Sequence, residues 1–265
     1  MFNSGFKKIT AGIALAVGLG IGSAQAAIDT DGVTSNPTSI GNGTGSGSGE
    51  LFFSILDDTN NNSLTLDLGI GVQAFLADPL AGFSLQSNAL QSFIASGDPN
   101  AMRWNVAGLN NDVSGVAPEI FVVTTVDNDT SPDPFQNGSA IQQAMVNAGQ
   151  YLEAVNNLIV GNVATAGEID GVAYFSGGAW GTNFGGPLPF DNAAELANAE
   201  TAAMVIIGFV NPTTTAFVEN AALANGFWSL DAGTGTVSFS AVPIPAAVWL
   251  FGSAVAGLFG FRRYS

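Results

Sequence analysis

Oxygen donors are the first chemistry this chain offers. Asp57, Asp58, Asn60 and Asn62 place side-chain oxygens close together in one polar stretch, and Asp127, Asp129 and Asp133 do so in another. Hard oxygen ligands in such runs suit calcium. Neither run completes the EF-hand pattern, because Gly69 stands where a bidentate Glu would follow Asp58. The competing reading is turn chemistry, in which Asn and Asp bond their own backbone. No cofactor is expected beyond this optional calcium.

The absence of His and Cys narrows the alphabet further. It removes Ser-His-Asp and Cys-His catalysis, imidazole or thiolate zinc sites, and disulfides. What survives for hydrolysis is a pair of carboxylates acting on a glycoside, which needs two acids about 5 to 10 Å apart. With 21 acidic residues, no spacing singles out such a pair. Trp104 and Trp228, with Tyr174, Phe175, Trp180, Phe184 and Phe190 among glycines, offer flat rings that either stack on sugars or fill a core. Arg103 is expected to pair with a carboxylate rather than to hold an anionic ligand.

Charge sets the class of partner. Of five basic residues, Lys7, Lys8, Arg262 and Arg263 lie near the two ends, while all 21 acids fall between Asp29 and Asp231. The body between the ends therefore has Arg103 against 21 acids, a net charge of −20. That sign repels nucleic acid and anionic lipid, and would meet an acidic polysaccharide only through bridging cations.

The elements that must position these residues follow from periodicity. Residues 27–49 read as a flexible linker, since Gly alternates with Asn, Thr or Ser from Gly41 to Gly49. A phosphate-cradling Gly loop would need a helix directly after it, and a strand pattern follows instead. Leu51 to Leu56, then Leu64, Leu66, Leu68 and Ile70 in alternation, predict a hairpin with the aliphatic residues on one face. Leu85, Ala89, Leu90 and Phe93 predict a short helix ending at Gly97, and strands are expected over Arg103 to Leu109 and Glu119 to Val126. Ile141, Met145, Ala148, Leu152, Val155 and Ile159 form one helical stripe with Ser139 as a candidate cap. Asn192 and Glu195 suggest a capping box on a short Ala-rich helix, Met204 to Val210 a buried strand, and Trp228 to Phe239 a second hairpin. The expectation for residues 50–241 is a β-rich α+β domain: an antiparallel sheet or sandwich with three or four helices.

Both ends read as processing segments. Lys7 and Lys8, an apolar run from Ile9 to Ile21, and the small residues Ala24, Gln25 and Ala26 ahead of Ala27 make residues 1–26 a signal peptide. At the other end, residues 242–265 run from Val242, Pro243, Ile244, Pro245 and Ala246 into a charge-free stretch that closes on Arg262 and Arg263. The 18 uncharged residues from Ile244 to Phe261 would span about 27 Å as a transmembrane helix, just enough for a bilayer core. The basic pair favours a cytoplasmic C-terminus.

This tail resembles the C-terminal sorting signal of the PEP-CTERM family, in the variant that begins Val-Pro-Leu-Pro-Ala. Val242, Pro243, Pro245, Ala246, Ala247, Trp249, Leu250, Phe251, Gly252 and Ser253 carry the likeness, and Ile244 departs where Leu is usual. The resemblance covers under a tenth of the chain. It implies export through the inner membrane by a secretion translocon, removal of the signal peptide by signal peptidase, and a transient single-pass anchor. Recognition by an exosortase, a membrane Cys protease-transpeptidase, would follow. The implied end point is the cell surface or an exopolysaccharide-rich extracellular matrix, with a structural or interaction role and no catalysis. The alternatives left open are a secreted carbohydrate-active enzyme using paired carboxylates, and a calcium-dependent carbohydrate-binding or adhesion module.

Overall fold

A dense apolar run, a polar turn and an alternating aliphatic strand build the centre of the molecule. In the computed structural model, which describes residues 27–30, 49–78, 81–112, 119–126, 135–174, 193–197, 201–209, 215–219 and 226–241, these become β1 (Glu50–Asp57) and β2 (Asn62–Gly71). They pair antiparallel, with Asp57 opposite Asn62. Several expectations lie outside the described residues: Ala24 and Ala26 of the signal peptide, Asp127, Asp129 and Asp133, the aromatic stretch from Phe175 onward, and the whole of 242–265 with its Pro motif and Arg262 and Arg263. Among the described residues no helix is long and apolar enough to cross a membrane.

Around that hairpin the chain adds α1 (Val72–Ala77), β3 (Phe83–Gln86), α2 (Asn88–Ser96), β4 (Met102–Asp112), β5 (Glu119–Val126) and β6 (Phe135–Asn137). Then come α3 (Gly138–Asn156), β7 (Val163–Gly167), β8 (Ala194–Glu195), β9 (Thr201–Phe209), β10 (Thr215–Glu219), β11 (Gly226–Asp231) and β12 (Thr236–Ala241). Two 3-10 helices, Pro99–Ala101 and Glu168–Ala173, complete the description. The strands form one antiparallel sheet in the order β3-β12-β11-β9-β5-β4-β1-β2-β7, with β10 joining β6 to β9 and β8 paired to β4. The β-rich, antiparallel part of the fold expectation therefore holds.

The sheet curls because β9 divides one edge between two partners. Thr201 and Ala202 pair with β11, whereas Ile206 to Gly208 pair with β10. The β11–β12–β3 flap thereby turns back over the inner face of the main sheet. Phe53, Leu64, Leu66, Trp104, Val106 and Met204 from the main sheet meet Trp228, Val237 and Phe239 from the flap, with Phe75 of α1 and Leu90 of α2 closing the gap. Phe75 meets Phe239 edge-on at 4.9 Å and Trp228 at 5.6 Å, the tilted geometries that aromatic quadrupoles favour. On the outer face α3 lays Met145, Ala148, Leu152 and Val155 against Phe52, Leu56, Leu109, Val122 and Ile207.

Three local expectations are corrected. Leu85 belongs to β3, where it pairs with Val237, and α2 starts only after Ser87, whose hydroxyl accepts from the Leu90 N–H. Ser139 lies inside α3 rather than before it, because the helix begins at Gly138. Glu195 sits in the short strand β8 opposite Arg103, not in a helix start. There the ladder with β4 outweighs the local capping signal.

Candidate functional site

The turn between β1 and β2 gathers the first oxygen cluster. Asp57 is buried at its base and accepts from the Thr59 and Asn60 N–H groups at 3.0 and 3.2 Å through Oδ1, and from Asn60 Nδ2 at 2.7 Å through Oδ2. Asp58 turns outward and takes the Arg103 guanidinium at 2.8 Å. The pattern is that of an Asx turn, with Asn61 in the left-handed region at φ 50°. A cation at this turn would have to displace these donors, and among the described residues no group of three or more acidic side chains is arranged to hold a metal ion.

Arg103 is thus paired with an acid, as its solitary charge predicts. Asp58 binds it and Glu195 stands across from it on β8. Nearby, burial pushes the Tyr174 hydroxyl pKa upward, helped by the charges of Asp58, Glu168 and Asp57. The end of the hairpin is therefore an acidic surface with a single cation spent on internal pairing.

The face of β1, β2 and β4 beneath α3 holds a buried polar row that periodicity did not reveal. Alternation placed the aliphatic residues on one face, yet Ser63, Thr65 and Asp67 are as buried as Leu64, Leu66 and Leu68. The Tyr151 hydroxyl comes down from α3 between Ser54 Oγ, at 3.0 Å, and Thr65 Oγ1. Ser54 and Thr65 also meet at 3.4 Å. Asn105, opposite Ser54 on β4, is fully buried and its amide atoms have no partner among the described residues. Burial pushes the Tyr151 pKa up to about 12, against the lowering effect of its two hydroxyl partners. A group held protonated so firmly serves packing rather than acid–base work at neutral pH.

Among the described residues, the carboxylates whose pKa values rise are Glu50 and Asp67. Burial is the first cause for both; Glu50 also feels the charges of Asp67 and Asp29. Each accepts a backbone N–H, Glu50 from Asp29 at 2.9 Å and Asp67 from Gly69 at 2.7 Å. The aromatic residues a sugar site would recruit are elsewhere. Trp104 and Trp228 have no exposed surface and lie in the inner core, so the sugar-platform reading is overturned for these two.

At the start of the body, Ala27 is exposed, but the next residue, Ile28, is buried in the α3 core and gripped by the Asn156 amide. The linker reading of residues 27–49 did not anticipate this. Its one available signal was a single large aliphatic residue directly after the candidate cleavage site.

No protein-family model matches the chain, and no curated protein or solved structure is significantly similar to it.

Proposed function

We propose that this chain is an exported surface or extracellular-matrix protein, sorted and processed by an exosortase, whose body is a structural or interaction module rather than a catalyst. The observation that carries the reading is the ordered tail: the motif Val242-Pro243-Ile244-Pro245-Ala246, the uncharged stretch to Phe261, and Arg262-Arg263, which together resemble the PEP-CTERM sorting signal. Its position relative to the fold supports it. The last ladder residue of β12 is Ala241, paired with Gly226, so cleavage within the motif would leave every described strand intact. Two prolines lack the N–H needed to extend a ladder, which suits a segment that a membrane peptidase must take up as extended chain.

The body fits a non-catalytic role. It contains neither His nor Cys, its one cation is paired with Asp58, and its buried hydroxyls bond one another. The net charge of −20 suits a matrix in which divalent cations bridge acidic chains. In the native host, the double variant Pro243→Ala, Pro245→Ala is expected to retain Ser265 and stay in the inner membrane. Mature size and location identical to wild type would refute processing at this motif. Release of new reducing ends from host polysaccharide by the purified body would instead establish the carbohydrate-active alternative.

A further inference from the structure

The residues just past the candidate signal-peptide cleavage site are built into the fold. The Ile28 N–H donates to Asn156 Oδ1 at 2.9 Å, and Asn156 Nδ2 donates to the Ile28 carbonyl at 3.0 Å. One side-chain amide at the end of α3 therefore satisfies both backbone groups of Ile28, as a neighbouring strand would. The Ile28 side chain is 1% exposed, in the core between α3 and the sheet. One residue on, Asp29 and Glu50 bond twice: the Asp29 N–H donates to Glu50 Oε2 at 2.9 Å, and the Glu50 N–H donates to the Asp29 carbonyl at 2.9 Å. Ala27, immediately before, is exposed.

We infer that Ile28, Asp29, Glu50 and Asn156 form a latch that captures the mature N-terminus after cleavage and shields it from further trimming, an inference that rests on reading Ala26–Ala27 as the signal-peptide cleavage bond. Peptidases bind their substrates as extended strands, through backbone hydrogen bonds and side-chain pockets on both sides of the scissile bond. Ile28 is the second residue after that bond. Buried, and with its N–H and carbonyl held by Asn156, it has neither side chain nor backbone to offer an enzyme. Cleavage and latching therefore exclude each other, and cleavage comes first.

The chemistry of the cut favours the latch. Hydrolysis consumes a water: the C–N bond between Ala26 and Ala27 breaks, the hydroxyl goes to the Ala26 carbonyl carbon and the proton to the Ala27 nitrogen. The amine so released takes up a further proton near neutral pH. An ammonium then stands two residues from Asp29, which is bonded to Glu50, in a body whose one other cation is Arg103. Removal of the apolar Ile9–Ile21 run frees this end from the membrane at the same step.

The test uses the exported protein from its native host, treated with a broad-specificity aminopeptidase and followed by intact mass, with circular dichroism as the check on folding. Wild type is expected to lose Ala27 at most and to stop at Ile28. The variants Asn156→Ala and Ile28→Ser, while still folded, are expected to be trimmed past Asp29 on the order of tenfold faster, because local opening now exposes the segment. In a second arm, full precursor folded before it meets signal peptidase should be cut on the order of tenfold more slowly than precursor presented unfolded, as burial of Ile28 demands. Wild-type trimming that runs past Asp29 toward Pro37 while the body stays folded would overturn the latch, as would equal cleavage of folded and unfolded precursor. A mature chain that begins after Ile28 would overturn the latch together with the signal-peptide reading; one that begins before Ala27 refutes that cleavage bond alone, and the stop at Ile28 then decides the latch.

Discussion

Tyr151 shows how polar side chains are used in this molecule. Its phenol is buried and bridges Ser54 and Thr65 on adjacent strands, tying α3 to the sheet at a point where the helix stripe alone would give only apolar contact. Tyr151→Phe leaves those two hydroxyls within 3.4 Å of each other, so they can satisfy one another, and the expected loss is about 1 kcal/mol in chemical denaturation. The same group makes stability fall at high pH. With the folded pKa raised to about 12 from 10, the unfolded chain loses its phenolic proton first. Stability is full below pH 10 and then declines by roughly 1.4 kcal/mol per pH unit until pH 12. That slope should be weaker in Tyr151→Phe. Asp67 gives the opposite lever, because burial raises its pKa and its ionised form opposes folding. Asp67→Asn keeps an acceptor for the Gly69 N–H and is expected to raise Tm at pH 7. The gain should shrink as the pH falls into the ordinary carboxylate range, where the wild-type side chain is protonated too.

Elements are held by burial on two faces of one sheet. Leu152 of α3 has no exposed surface, and Leu152→Ala is expected to cost about 2–5 kcal/mol, read as a lower denaturation midpoint with unchanged slope. Gly235 joins the β11–β12 hairpin to α2 in another way: its φ is +63°, and an added Cβ would lie 2.5 Å from the Ser87 carbonyl oxygen. Gly235→Ala should therefore destabilise the hairpin and the start of α2 together. The second hairpin was legible because Trp228 opposite Phe239 and Leu230 opposite Val237 follow strict alternation around a Gly-rich turn. The first hairpin was legible as a hairpin but not in its burial. Thr65 and Asp67 look solvent-facing by period, yet both are buried, Thr65 under Tyr151 of α3. Leu85 fits the spacing of the following helix, and its strand depends on Val237, some 150 residues away. The latch escaped sequence reading for the same reason: Ile28 and Asn156 meet across 128 residues. The oxygens of the first hairpin turn and their local engagement by Asn60 were open to turn chemistry from the start, but the pairing of Asp58 with Arg103 required the register of β1 with β4.

At the scale of the whole molecule, charge and edges decide how the body meets its surroundings. With 21 acids against Arg103, self-repulsion opposes the compact state, so added salt or a divalent cation should raise Tm, more for the divalent ion at equal concentration. The β7 end of the sheet is blunted against pairing with other chains. Val160 and Val163 exchange backbone bonds at 2.8 and 3.3 Å, and the Gly167 N–H donates to Asp170 at 2.8 Å. A folded, acidic body whose last described strand ends at Ala241, next to Val242-Pro243 in sequence, is suited to delivery by its tail. Whether this tail is an exosortase signal is decided by intact mass of the protein from its native host, with and without the exosortase. A sorting signal gives a C-terminus within Val242 to Ala246 when the exosortase is present, and an intact Ser265 when it is deleted. Ser265 retained in both strains would rule the signal out.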